Sequence, residues 1–196
     1  SAWDAAERTS LWENCSGEAP VQSTWFRALW DEQALYVAFE CEDNDIWGDM
    51  TEHDAPIYEQ EVVEVFIDAN SDGIGYMELE VSPLNTVFDL YMLLYNGRRK
   101  GLLDWDCQGL QTAVSVEGDA TRRGSIDKCW VVEMAIPLSE LLTAPHIPPQ
   151  SGDVWRTNFY RIDRPVTGGW ELSAWSPTGH EDFHMPERFG RFMFVL

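Results

Sequence analysis

Apolar and polar residues alternate with a period of two along much of the chain. Leu35, Val37, Phe39 and Cys41 point to one side while Tyr36, Ala38 and Glu40 point to the other, which is the signature of a half-buried strand. Val63, Val65 and Ile67 alternate with Val62, Glu64, Phe66 and Asp68. Asn70-Ser71-Asp72-Gly73 then supplies turn chemistry, and the strand pattern resumes from Tyr76 to Val81, so a β-hairpin is predicted. Further strands are expected at about 86–94, 111–117, 129–136, 154–162 and 188–195. One short helical signal, Pro137-Leu138-Ser139-Glu140-Leu141-Leu142, precedes a loop with Pro145, Pro148 and Pro149 that cannot extend it, and it is expected to cap one end of the fold. The fold class that follows is all-β: an antiparallel two-sheet β-sandwich with short helices only. No repeat, low-complexity tract or linker divides residues 1–196, so a single domain is expected.

Charge narrows the partners. Thirty-four acidic residues against 13 basic ones give a formal net charge of −21, which repels nucleic-acid phosphates and anionic lipid headgroups. No apolar run reaches the roughly 18 residues of a membrane span. Neither a nucleic-acid nor a membrane partner is expected. Cys15, Cys41, Cys107 and Cys129 form no CxxC pair; Cys41 and Cys129 read as strand fillers, whereas Cys15 and Cys107 fall in loops where a bridge between them is conceivable.

Candidate chemistry lies in aromatic residues and carboxylates. The 10 Trp, 6 Tyr and 9 Phe exceed what a core of this size needs, and Trp47, Tyr58, Trp105, Trp170 and Phe183 fall in loop-like segments. An aromatic face offers a flat platform for the C–H face of a pyranose, while neighbouring carboxylates take its hydroxyls. The bland alternative is that each ring plugs a loop onto the sandwich. Glu64 faces away from Val63, Val65 and Ile67 and is free to reach a ligand. Glu61 with Glu64, or Glu78 with Glu80, could form a glycosidase pair, but in so acidic a chain close carboxylates are expected from composition alone. Asp68 to Gly73 matches the opening of an EF-hand loop, yet Leu79 stands at the twelfth position, so the hairpin turn is the better reading. Oxygen ligands for a structural Ca²⁺ are abundant, but no spacing identifies a metal site and no cofactor is required. His180 and His184 share a loop rather than a helical face.

Several blocks together carry a family pattern: Ala2-Trp3 with Ala6; Leu29-Trp30-Asp31 followed by Ala34 to Ala38; Val63 to Asp68; Glu78 to Val81 with Leu84 to Val87; Val132 to Pro137; Asn158 to Arg161; Trp175-Ser176-Pro177; and His184 to Gly190. Nearly the whole chain resembles the family 9 carbohydrate-binding modules, especially their stand-alone bacterial branch. The resemblance implies a secreted or periplasmic, non-enzymatic sandwich that binds glucan or xylan, or their oligosaccharides, in a slot between two aromatic rings. Tyr58 and Phe183 take those aromatic positions, and Glu64 takes that of a sugar-binding acid. Glu80 stands where the characterised modules place a basic sugar contact, and Tyr160 where they place a glutamine. The site so implied is Tyr58, Glu64, Phe183, Glu80 and Tyr160, with both rings partly exposed and Glu64 at the floor. The rival readings are a haem-binding electron-transfer domain ligated through His184 or Met185, a small glycoside hydrolase, and a structural module without sugar binding.

Overall fold

The computed structural model describes residues 2–195. Its strands in chain order are β1 (Thr9–Ser10), β2 (Trp12–Glu13), β3 (Thr24–Trp30), β4 (Ala34–Glu42), β5 (Val62–Asp68), β6 (Gly75–Val81), β7 (Val87–Tyr95), β8 (Arg98–Leu102), β9 (Gln111–Glu117), β10 (Cys129–Pro137), β11 (Val154–Asp163), β12 (Glu171–Ala174) and β13 (Gly190–Met193). They form two antiparallel sheets, ordered β1-β3-β4-β10-β9 and β2-β12-β11-β5-β6-β7-β8, with β13 joining the second sheet beside β11. The expected sandwich is therefore present. Among the described residues no helix is long and apolar enough to cross a membrane.

The core between the sheets is the alternating apolar set read from the sequence. Leu35, Val37, Phe39 and Cys41 of β4 and Trp130, Val132, Met134 and Ile136 of β10 pack with Val63, Val65 and Ile67 of β5 and Met77 and Leu79 of β6. Phe159 stacks on Phe26 across the sandwich with ring centroids 3.9 Å apart. Gly190 opens β13 where backbone and ring touch: a Cβ there would lie 2.3 Å from the Trp175 indole. Asp68 closes the β5–β6 turn by accepting the Gly73 N–H at 2.9 Å, and Ser71 and Gly73 both hold positive φ. The EF-hand-like string thus serves its own turn.

The larger sheet is buried on both faces at its centre, since all seven residues of β5 and of β6 are buried. Its outer face carries a second apolar layer that includes Ile57, Phe66, Tyr76, Phe88, Tyr160, Phe183 and Phe189. The segment carrying Phe183 and Phe189 folds back over this layer, and that places the functional region.

Three expectations change. The helical signal after Pro137 yields only a 3₁₀ turn, Leu138–Glu140, although Leu138 and Leu141 do bury into the core. β1, β2, β3, β8 and β12 add to the predicted strands. Cys15 and Cys107 are not bridged: all four cysteines are free, Cys15 is exposed, and Cys107 is buried with its N–H donated to the Asp89 carboxylate.

Candidate functional site

Antiparallel register builds the site. β5 and β6 pair Glu64 with Glu80 and Phe66 with Glu78. Because side chains alternate, all three acids emerge on the outer face of the sheet. Their ligand-capable oxygens lie within 4.8 Å of one another. The acids are 2%, 4% and 1% exposed for Glu64, Glu78 and Glu80, yet they floor a groove of about 1000 Å³. Burial, reinforced by mutual repulsion, pushes Glu64 and Glu80 well above the ordinary carboxylate range. Glu78 is raised to about 7, again chiefly by burial.

Aromatic side chains line the walls. Tyr58 sits in a 3₁₀ turn, Ile57–Glu59, just before β5, and its ring is 40% exposed. Its edge packs on Phe88 at 5.4 Å, and its carbonyl accepts a 2.6 Å hydrogen bond from Arg164 Nη2. The Arg164 guanidinium also lies over the Trp170 ring, 3.1 Å from its centroid, and Trp170 is 64% exposed at the groove rim. Phe183 lines the same groove, so the structure brings Tyr58, Phe183, Glu64 and Glu80 together.

Two details differ from expectation. Phe183 is only 7% exposed, because its inner face stacks on Tyr160 with centroids 4.1 Å apart and an interplanar angle of 16°. Tyr160 is fully buried and donates its hydroxyl to the Phe183 carbonyl at 3.0 Å. It supports the Phe183 wall from behind and does not reach the groove with its polar atom. His184, the suggested haem ligand, is bound to the Tyr76 hydroxyl through Nδ1 at 2.7 Å and stacks on Phe66 at 5.2 Å. Burial lowers its pKa to about 4 and keeps it neutral.

Sequence reading missed Glu78 as the third acid of the floor and Arg164 as the link between two walls. The Glu78-x-Glu80 spacing, combined with the hairpin register, was the available signal for the first. Glu61 does not join Glu64. It turns to the other side, where its oxygens lie within 4.8 Å of those of Asp43 and Asp163. Buried Arg161 bridges Asp43 at 2.7 Å and Asp163 at 3.4 Å. No donor group reaches either buried Glu61 carboxylate oxygen, and burial, followed by a proton shared with the Asp43 carboxylate, pushes Glu61 up to about 11. A further group, His53 with Asp54, Asp89 and Asp106, lies elsewhere, with His53 within 3.2 Å of Asp54 and of Asp89.

Comparisons with known proteins agree with this architecture. The chain is similar over 97% of its length, and over 87% of the other, to a Bacteroides uniformis protein assigned to carbohydrate binding, with 20% identity and a TM-score of 0.77. It is also similar to a family 9 carbohydrate-binding module of Caldicellulosiruptor kristjanssonii solved with cellotriose. That match has 16% identity and a TM-score of 0.66, covering 99% of this chain and 85% of the module. A module of the same family and organism solved with glucose matches at 17% identity and a TM-score of 0.64, over 98% and 85% of the two chains. No curated protein matches the chain. The model of the carbohydrate family 9 binding domain-like family matches residues 1–195, and the chain belongs to that family.

Proposed function

We propose that the protein binds carbohydrate, without cleaving it, in the groove between Tyr58 and Phe183. The observation that carries this reading is the joint presence of aromatic walls and a carboxylate floor in one open groove. A pyranose ring would stack against Tyr58 and Phe183 while Glu64 and Glu80 accept its hydroxyl hydrogen bonds. The ligand class is glucan or xylan, or their oligosaccharides, in keeping with family members solved with cellotriose and glucose. A polymeric ligand of this kind puts the protein outside the cytoplasm, secreted or periplasmic.

Hydrolysis needs two carboxyl groups flanking a glycosidic bond, about 5–5.5 Å apart in retaining enzymes or further in inverting ones. Glu64, Glu78 and Glu80 stand side by side on two neighbouring strands, on one side of any ligand in the groove. That arrangement favours holding over cutting. Calorimetry with cellobiose and xylobiose, with a product-release assay on the same sample, tests the reading. Binding without turnover is expected; release abolished by Glu64→Gln would overturn it.

A structural Ca²⁺ belongs to the same proposal, at Asp43, Glu61 and Asp163. These are hard oxygen donors, as Ca²⁺ requires, and binding would displace the proton that burial keeps on Glu61. Ca²⁺ should raise the melting temperature and a chelator lower it, with the response lost in Glu61→Gln. A melting temperature indifferent to both reagents removes the calcium.

A further inference from the structure

The groove floor gathers three buried carboxyl groups with no committed cation among the described residues. Glu64, Glu78 and Glu80 converge within 4.8 Å, and one oxygen each of Glu78 and Glu80 is buried with no partner. The nearby bases are already committed. Arg99 is held by Asp182 through both terminal nitrogens. Arg164 is held by the Tyr58 carbonyl and the Trp170 ring. His184 stands 3.7 Å from Glu78, but its Nδ1 is hydrogen-bonded to Tyr76. Glu13, Glu59 and Glu181 add further negative charge to the groove lining. An ionised carboxylate is costly to bury unless paired with a positive group, so burial keeps protons on these acids, and a cation entering the groove would let them ionise.

Resting on the carbohydrate reading above, we infer that the preferred ligand is a sugar bearing a protonated primary amine, its ammonium seated among Glu64, Glu78 and Glu80. An ammonium presents three N–H donors, one for each carboxylate. The rest of the sugar meets the apolar walls at Tyr58, Phe88, Leu90 and Phe183. A bare Ca²⁺ fits less well, because it takes six to eight oxygen ligands and the surroundings of the trio are aromatic and aliphatic. A neutral hydroxyl bonds to acids that stay protonated, whereas an ammonium lets them ionise and forms charge-assisted bonds with the resulting carboxylates. N-acetylation of the amine removes the positive charge and all but one of the donors, so the acetylated sugar should be rejected.

The test is calorimetry on the intact protein with the β-1,4-linked glucosamine disaccharide, its N-acetylated form and cellobiose, each with and without Ca²⁺, on wild type and Glu80→Gln. Glu80→Gln is close to isosteric, and a melt checks its fold. The expected result is about tenfold or tighter binding of the free amine over cellobiose, weakened by salt, with that preference reduced severalfold in Glu80→Gln. Equal or weaker binding of the amine, with cellobiose still bound, overturns this inference and leaves the carbohydrate reading standing. Sugar binding that depends on Ca²⁺ and stays so in Glu61→Gln also overturns it, in favour of a metal at the trio. A folded protein that binds none of the three sugars removes both readings.

Discussion

The Tyr160 hydroxyl donates to the carbonyl of Phe183, and the two rings lie face to face 4.1 Å apart, so a buried strand residue fixes the position of a groove wall. Tyr160→Phe keeps the stack and removes the bond, at a stability cost of about 1 kcal/mol. The expected outcome is a small fall in melting temperature with a severalfold loss of sugar affinity. Unaltered affinity would show that the Phe183 backbone is held by other contacts.

The two walls should respond differently to truncation. Tyr58 is 40% exposed and Phe183 only 7%. Tyr58→Ala should therefore cost affinity, with about 0.5–1.5 kcal/mol coming from the ring face, while the fold changes little. Phe183→Ala removes a buried ring and should cost about 3–5 kcal/mol of stability as well as binding. Paired melts and calorimetry distinguish them, and equal stability losses in the two variants would contradict the burial seen here.

Stability should carry a signature of Glu78. Its folded pKa of about 7 lies above the ordinary 4.5. Between these values the folded state keeps a proton that the unfolded chain has released, so stability falls as pH rises through that window and levels off above it. His184 works the other way. Lowered from 6.5 to about 4, it contributes stability that is full above pH 6.5 and is lost as pH falls toward 4. Comparing wild type with Glu78→Gln at pH 5, 6, 7 and 8 isolates the first effect. The wild type should lose stability relative to the variant as pH rises, by about 1.4 kcal/mol per unit of pKa shift. A constant difference across the series would refute it.

Arg161 is wholly buried between Asp43 and Asp163, and it also donates to the Glu42 carbonyl at 2.7 Å. Arg161→Met would leave those carboxylates buried without their cation and should cost about 3–5 kcal/mol. Denaturant melts read this directly; an unshifted midpoint would mean that the acids become protonated without penalty.

Strands with one face in the core were legible in the sequence, because Leu35 to Cys41 and Val63 to Ile67 alternate cleanly. β1, β2 and β12 are two to four residues long and carry too few positions for a period to register. β8 reads Arg98-Arg99-Lys100-Gly101-Leu102, an exposed edge strand whose charges hide it. At the site, Glu64 and Glu80 are sixteen residues apart, and they meet because the turn sets Val63 opposite Val81. The burial of Phe183 could not be read at all, since it depends on Tyr160 arriving beneath it from a distant strand.

Arg164 joins the carbonyl beneath Tyr58 to the face of Trp170. Its contact with Tyr58 is to backbone, so the aperture on that side is indifferent to which ring stands at position 58. A Trp, Phe or His could be exchanged there without losing the strut. Such a site can change its sugar by single substitutions in the wall while the frame stays constant, which makes the groove a ready substrate for evolutionary drift between glycans and for deliberate redesign.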